Sequence, residues 1–238
     1  MNHTIIIIPV YNNASLIRDV VGRISAVENA DILFVDDGSE DDTFEQMKDF
    51  KGVRCIRHEE IQGYGSAVQS GLKYAGDMGY STAVFIDPLC KKALDDIHLM
   101  LENLDYGYDM VSCSRILENY DHESIDREAT SLVNELSQRI RELTSYDITD
   151  PFTGIRAMKL DSVMMMDLTD DTHGLLLQML VQGAHFGLDI IEIPAASESL
   201  HFGEELSMYE DGLGMFLSLL ETESYLYKKI GRASCRER

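Results

Sequence analysis

Acidic side chains follow two strand-like segments of the sequence, and acids in such places can bind a nucleotide or a cation. Asp36 and Asp37 come directly after the apolar run Ile32–Val35, and Asp87 follows a second apolar run, Ala83–Ile86. Carboxylates at these positions are costly to bury unless a base N–H, a ribose hydroxyl or a cation pairs with them. For the first pair, a plain Asp-Gly turn ahead of a helix stays open as the alternative.

A pair of glycines opens the helix predicted after the third strand-like segment. The segment Gly63–Ala67 reads Gly-Tyr-Gly-Ser-Ala, and glycines at a helix start let a phosphate approach the backbone N–H groups. Two glycines also suit an ordinary tight turn, which is the alternative at this position.

Alternating strand and helix patterns place these loops at one edge of a sheet. Thr4–Val10 is a continuous apolar strand, and Ser15–Val27 repeats apolar residues at helical spacing. The same unit recurs in the next hundred or so residues with strands that are apolar throughout, which is typical of a mostly parallel sheet covered by helices on both faces. Ligands of such sheets bind beyond the carboxyl ends of the strands. The sequence therefore predicts a single α/β domain with its site at that edge.

The second half of the sequence loses the strict alternation, but it contains no repeat and no linker. We therefore expect two halves of one domain, 1–115 and 116–230, followed by a basic tail over 231–238. The tail either contacts anionic lipid or, as its composition favours, is an expression remnant. The predicted helices of the second half cover 124–143, 172–186 and 208–229, and its predicted strands cover 108–114, 153–160 and 190–193.

Composition excludes several classes of protein. The chain has 238 residues, of which 45% are hydrophobic and 26% charged, as expected for a packed globular protein. No apolar run approaches the roughly 20 residues of a membrane span, and no leader peptide is recognisable, so a cytoplasmic protein is expected. The net charge of -22 disfavours nucleic-acid binding. Four scattered cysteines without a Cys-x-x-Cys pair argue against a zinc ribbon or a disulfide framework.

Five segments, taken together and in order, resemble family-2 glycosyltransferases of the GT-A fold, specifically the branch that makes dolichyl- or polyprenyl-phosphate sugars. The resemblance implies a Rossmann-like, mostly parallel sheet with a nucleotide-sugar-binding half over 1–115 and an acceptor-side half over 116–230. The segments are Ile-Pro-Val-Tyr-Asn-Asn (8–13), Phe-Val-Asp-Asp-Gly-Ser (34–39), Gly-Tyr-Gly-Ser-Ala (63–67), Asp-Met-Val-Ser-Cys-Ser-Arg (109–115) and Ile-Thr-Asp-Pro-Phe-Thr-Gly-Ile-Arg-Ala (148–157).

The resemblance also implies roles for individual residues. Asp87 matches the first acid of an Asp-x-Asp motif that binds a divalent metal, Mg²⁺ or Mn²⁺, across the diphosphate, and no organic cofactor is expected. The residues implied to bind the nucleotide are Pro9, Tyr11, Asn13, Asp37, Gly63 and Gly65. Those implied to be catalytic are Asp87, Arg127 and Arg156, and those implied to meet the diphosphate or the acceptor are Arg115, Ser131 and Asn134. For Arg127, an exposed ion pair with a neighbouring acid is the alternative.

Several positions depart from the family pattern. The Asp-x-Asp motif is reduced to Asp87-Pro88-Leu89, and leucine cannot bind a hard cation, so we expect only weak metal binding. The family's Glu after Tyr-Asn is Asn13, a Glu of a later helix is Gln178, and a late Gly-x-Ser-Lys motif is reduced to Gly203–Leu206.

These observations favour inverting transfer of a sugar from a nucleoside diphosphate sugar to a lipid phosphate, such as a polyprenyl phosphate at a membrane surface, or to another acceptor. A nucleotide-sugar-binding pseudoenzyme with a regulatory or scaffolding role is the alternative, because it explains Leu89 directly. A sugar-1-phosphate nucleotidyltransferase is disfavoured because its Gly-rich first loop with a basic residue is absent. Under the leading hypothesis, Asp37→Ala should abolish nucleotide binding with little effect on the unliganded protein.

Overall fold

A computed structural model of the protein describes residues 3–24, 27, 30–88, 95–114, 117 and 127–195, with the main chain only for 127–132. Leu89, Arg115, the predicted helix over 208–229 and the basic tail lie outside the described residues. Among the described helices, none combines the length and the apolarity that crossing a membrane requires.

Seven described strands form one sheet that draws on both halves of the sequence. Six of them run parallel and one, β6, runs antiparallel to both of its neighbours. The strands are β1 Thr4–Val10, β2 Ala30–Asp36, β3 Val53–Arg57, β4 Thr82–Phe85, β5 Met110–Ser114, β6 Arg156–Lys159 and β7 Ile190–Pro194. Their order across the sheet is β3-β2-β1-β4-β6-β5-β7. The predicted single α/β domain with a mostly parallel sheet is confirmed.

Helices cover both faces of the sheet. Side chains of α3, α5 and α7 belong to one hydrophobic core, and those of α1, α2 and α4 belong to the other. The helices are α1 Ala14–Ile24, α2 Thr43–Lys48, α3 Tyr64–Asp77, α4 Ile97–Asp105, α5 Arg127–Thr144, α6 Leu160–Val163 and α7 Gly174–His185.

The central strand β1 shows why the sequence forms this sandwich of helices and sheet. Its four consecutive isoleucines are fully buried, with Ile5 and Ile7 in one core and Ile6 and Ile8 in the other. Side chains alternate between the two faces of a strand, and β-branched residues favour that conformation. A run without polar residues is therefore stable only between two helical layers.

Strand β6 is shorter than predicted and has a direction that the apolar pattern did not indicate. It begins at Arg156, after a turn in which Thr153 N donates to Asp150 O, and ends at Lys159, where α6 follows. Arg156 pairs with Phe85 near the end of β4. Because β6 is antiparallel, the loop before it lies at the carboxyl edge of the sheet, beside the loop that follows β4.

Candidate functional site

A cavity of about 260 Å³ lies at the carboxyl ends of β1, β2 and β4, next to the start of α3. It gathers six of the side chains or glycines singled out in the sequence, namely Pro9, Tyr11, Asn13, Asp37, Gly63 and Asp87. The remaining lining residues are Val10, Ile61, Tyr64, Ala67, Pro88 and His173. The structure thus brings together residues from three loops that the sequence pattern had placed at one edge.

The loop after β1 is tied to the loop after β2. Asn12 has a left-handed backbone with φ of 52°, which Asn tolerates better than most residues. Its N–H donates to Ser39 Oγ over 2.9 Å, and its Oδ1 accepts from Glu40 N over 2.9 Å. Asn13 Oδ1 accepts from Tyr11 N over 3.0 Å. These bonds fix Tyr11 and Asn13 at the mouth of the cavity.

Asp37 organises the segment that leads into α3. Its carboxylate is buried, with Oδ1 2.7 Å from His58 Nδ1 and accepting from Gln62 N over 2.9 Å. Its Oδ2 accepts from Gly63 N over 2.7 Å. A carboxylate offers about four lone-pair positions, so the bonds within the chain use most of them. The expectation that Asp37→Ala has little effect on the unliganded protein is therefore wrong, because the substitution removes all three of these contacts.

The two glycines at the start of α3 are required by another segment of the chain. A Cβ on Gly63 would lie 2.2 Å from Asp171 O, and a Cβ on Gly65 would lie 2.2 Å from Asp170 O. Gly65 N donates to Asp171 O over 2.8 Å. The backbone N–H of Gly65, which was expected to be open to a phosphate, thus donates to a main-chain carbonyl, and Gly65 does not line the cavity. Gly63 does line it.

Asp87 follows β4, on the opposite side of β1 from Asp37, and lies beside the loop before β6. It is half-buried and follows β4 by two residues. A Cβ on Gly154 would lie 2.9 Å from Tyr64 Oη and 3.4 Å from Asp87 Cβ. Gly154 therefore lets the phenol tip of Tyr64 approach Asp87, and the two side chains form one end of the cavity.

Tyr64 stacks on His173, and both rings line the cavity. Their centroids are 4.3 Å apart and their planes differ by 12°. His173 directly precedes α7, in the N-cap position, but its side chain makes no capping hydrogen bond. His173 thus has a place in the cavity wall and not a capping role. Sequence spacing did not reveal this, because His173 reaches the cavity only through long-range packing.

Arg156 lies beneath the site and not in it. It is fully buried, and its two terminal nitrogens donate to Leu176 O over 2.5 Å and to Pro151 O over 3.1 Å. Burial lowers the pKa of Arg156 to about 10, so the guanidinium stays charged at neutral pH. The catalytic role that the resemblance implies for Arg156 has no support in this arrangement, because both terminal nitrogens of the side chain donate to main-chain carbonyls. Arg156 instead fixes the loop before β6 against α7.

Glu192 on β7 holds the same loop from the other side. It was not among the predicted site residues. It accepts from Thr149 N over 2.8 Å, from Thr149 Oγ1 over 2.7 Å and from Asp150 N over 3.0 Å. Burial raises the pKa of Glu192 above its ordinary value. Ser112 pairs with both Glu192 and Arg156 across the strands, so the acid and the base flank it in one row. An acid within the otherwise apolar strand β7 was the available signal.

The structure describes the other predicted site residues only in part. Asn134 is exposed on α5, and Arg127 and Ser131 lie on the main chain of the same helix with their side chains outside the description. Arg115 and Leu89 lie outside the described residues. Within the described part of the chain, no group of three or more His, Cys, Asp or Glu side chains is arranged to hold a metal ion. The cavity itself offers Asp37, Asp87 and His173 as donors.

Comparison with known proteins decides the family. The model of glycosyl transferase family 2 matches residues 5–164. The chain belongs to glycosyl transferase family 2. This family-2 glycosyltransferase is 28% identical over 180 residues to the UDP-N-acetylglucosamine–dolichyl-phosphate N-acetylglucosaminyltransferase of Methanococcus voltae, covering 68% of this chain and 71% of that one. It is 26% identical over 200 residues to the polyprenol monophosphomannose synthase of Mycolicibacterium smegmatis, covering 80% of this chain and 76% of that one.

Solved structures share the fold of this glycosyltransferase. Glucosyl-3-phosphoglycerate synthase from Mycobacterium tuberculosis, in complex with UDP, superposes with a TM-score of 0.69 at 17% identity, covering 93% of this chain and 80% of that one. The same synthase with Mn²⁺, UDP and phosphoglyceric acid gives a TM-score of 0.67 at 18% identity, covering 92% of this chain and 78% of that one. The predictions of a GT-A fold, of a glycosyltransferase and of a similarity to the dolichyl-phosphate sugar synthase branch are confirmed.

Proposed function

We propose that this glycosyltransferase transfers a sugar from a UDP- or GDP-sugar to a polyprenyl phosphate, with inversion at the anomeric carbon. The observation that carries the proposal is the cavity in which Tyr11, Asp37 and Asp87 meet at the carboxyl edge of the sheet. Relatives whose names include dolichyl-phosphate and polyprenol acceptors support the acceptor class. At about 260 Å³ the cavity is smaller than most whole-ligand pockets. It therefore suits the nucleoside and diphosphate, with the sugar extending outward.

The reaction follows from the charges of its two substrates. An oxygen of the acceptor phosphate attacks the anomeric carbon from the face opposite the leaving group, and the bond from that carbon to the diphosphate oxygen breaks. The electron pair leaves with the nucleoside diphosphate. Because the attacking oxygen is already anionic, no residue needs to remove a proton from it. The protein's task is to orient the two anions and to offset the charge that develops on the diphosphate.

Asp87 is the described residue best placed to hold a divalent cation at the diphosphate. When bound, such a cation would stabilise the charge on the leaving diphosphate. One half-buried carboxylate and the ligand's own oxygens make a sparse set of oxygen ligands for Mg²⁺ or Mn²⁺. This donor set fits the weak metal binding expected from Leu89. Arg115, Arg127, Ser131 and Asn134 stay predictions for the diphosphate and acceptor.

Turnover with labelled donors tests the proposal. The chain is mixed with polyprenyl phosphate in phospholipid vesicles and with UDP-N-acetylglucosamine, UDP-glucose or GDP-mannose, with and without EDTA, and the labelled glycolipid is quantified. Asp87→Asn should lower turnover roughly 100-fold or more, because several kcal/mol of transition-state stabilisation are lost. Asp161→Asn, which alters an exposed acid on α6 away from the cavity, is the matched control and should retain activity.

The outcomes separate the alternatives. Formation of a glycolipid with one donor supports the proposal. Donor binding without any product would instead identify a nucleotide-sugar-binding pseudoenzyme. An Asp87→Asn enzyme as active as the Asp161→Asn control would remove Asp87 from the site.

A further inference from the structure

We propose that His173 is a further donor-binding residue, whose imidazole N–H contacts the diphosphate of the nucleotide sugar. This inference rests on the proposed function and names a contact that the family motifs do not supply. It starts from the two rings in the cavity wall, His173 and Tyr64, which stack at 4.3 Å.

The position of the stacked pair identifies the part of the ligand that it meets. Tyr64 Oη lies beside Gly154 and Asp87, on the β4 side of β1, whereas Asp37 follows β2 on its other side. Pro9, Tyr11 and Asp37 are implied by the resemblance to bind the nucleotide, and under the proposed function they meet its base and ribose. A nucleotide with its base there directs its diphosphate toward Asp87. The Tyr64–His173 wall therefore flanks the diphosphate.

The residue types that line the cavity give His173 a role that the two carboxylates cannot fill. Among the described lining residues, the ionisable side chains other than the two tyrosines are Asp37, Asp87 and His173, and none is Lys or Arg. Carboxylates repel a diphosphate, whereas an imidazole offers an N–H donor in either protonation state. Asn13, Tyr11 and Tyr64 also carry side-chain donors, but His173 is the one described lining residue of a basic type, and its N–H can donate to the anion.

Two buried glutamines of α7 hold the segment that carries His173. We call residues 167–173 the strap. Gln178 Oε1 accepts from Thr169 N over 3.0 Å and from Asp170 N over 3.2 Å. Gln182 accepts from Asp167 N over 2.7 Å and donates to Asp167 O over 2.8 Å. The amide at 178, where the family has an acid, thus serves to anchor the strap.

The other side of the strap is fastened to α3. Gly65 N donates to Asp171 O, Ser66 Oγ donates to Asp171 Oδ1 over 2.8 Å, and Gln69 Nε2 donates to Asp170 O over 2.9 Å. The strap is therefore bonded to both helices that border the cavity. His173 is held on Tyr64 before any ligand binds, and a preorganised donor adds affinity at low entropic cost.

Binding of diphosphates and monophosphates to matched variants tests the contact. Dissociation constants for UDP, UMP, GDP and GMP are measured by calorimetry for the parent, His173→Phe and His173→Gln. The control is His185→Phe, which changes an exposed histidine at the opposite end of α7. Phenylalanine keeps a ring to stack on Tyr64 but lacks the N–H donor, whereas glutamine keeps a donor without the ring.

His173→Phe should weaken binding of the diphosphate about 10- to 100-fold, the range for one hydrogen bond to a charged group. It should weaken the corresponding monophosphate much less. His173→Gln should retain most of the diphosphate affinity, and the His185→Phe control should match the parent. Equal weakening of UDP and UMP, or no weakening of either, would overturn the contact and leave the proposed function standing.

A second measurement observes the contact in the parent itself. In the parent, the imidazole nitrogen resonances of His173, assigned with the His173→Gln spectrum, should shift on adding UDP or GDP and much less on adding UMP or GMP. Unchanged His173 resonances at saturating diphosphate would overturn the inference. A parent that binds neither UDP nor GDP would overturn the proposed function and this inference with it.

Discussion

Individual side chains at this site serve folding and binding together, and Asp37 is the clearest case. Its carboxylate lines the cavity while it accepts from Gln62 N and Gly63 N and faces His58. A residue that lines a ligand cavity is thus also the anchor of the segment before α3. Arg156 shows a related division, since the family resemblance implies a catalytic role for it, yet it holds two main-chain carbonyls from beneath the cavity.

Asp37→Ala should lower the free energy of unfolding by about 2–4 kcal/mol even without a ligand, because it removes charge-assisted hydrogen bonds that contribute about 1.5–3 kcal/mol each. Urea unfolding followed by circular dichroism measures the loss. Asp42→Ala is the control, since Asp42 is exposed and makes no capping bond at the start of α2. That variant should stay within about 0.5 kcal/mol of the parent. Similar values for the two variants would show that the Asp37 network adds no stability.

At the scale of elements, the close packing of α3 on β1 sets where the cavity wall begins. A Cβ on Gly71 would lie 2.4 Å from Cγ2 of Ile7, which is fully buried in the middle of β1. The absence of a side chain at Gly71 lets the helix lie directly on the strand. Tyr64 and Gly63, two turns earlier, are placed at the end of β1 by that contact.

Gly71→Ala should destabilise the protein by about 1–3 kcal/mol, the usual cost of overpacking a core. Gly22→Ala provides the matched substitution, because Gly22 is exposed in α1 with nothing within 4 Å of an added Cβ. Alanine favours a helix more than glycine does, so that variant should be stabilised by up to about 1 kcal/mol. Urea unfolding of both variants measures the two changes in the free energy of unfolding, which should have opposite signs. A stabilised Gly71→Ala variant would contradict the close approach of α3 to β1.

For the whole molecule, the charge balance opposes compactness. The sequence carries 42 acidic and 20 basic residues, giving a net charge of -22. Several acids already have local partners, such as Asp31, whose pKa is lowered by a hydrogen bond from Tyr80 and by Arg54. The excess nevertheless leaves a long-range repulsion that is relieved when the chain unfolds.

Raising the NaCl concentration from about 0.01 M to 1 M shortens the Debye length from about 30 Å to about 3 Å. Because screening weakens the repulsion in the folded state, the melting temperature at pH 7 should rise by several degrees over that range. Thermal unfolding at pH 7 and near the calculated pI of 4.5 supplies the comparison, since the salt effect should shrink where the net charge is small. A melting temperature independent of salt at pH 7 would show that the repulsion is already neutralised locally.

The sequence alone determined the alternation of strands and helices, the two-sided burial of β1 and the family motifs at the strand ends. These follow from local periodicity and residue type, which act within a few neighbouring positions. Tertiary structure alone decided the direction of β6, the burial of Arg156 and the place of His173 in the cavity wall. Ser66 and Asp171, whose side chains bond, are 105 residues apart in the chain. No local pattern records such a contact, because it forms only when the sheet and both helices are packed together.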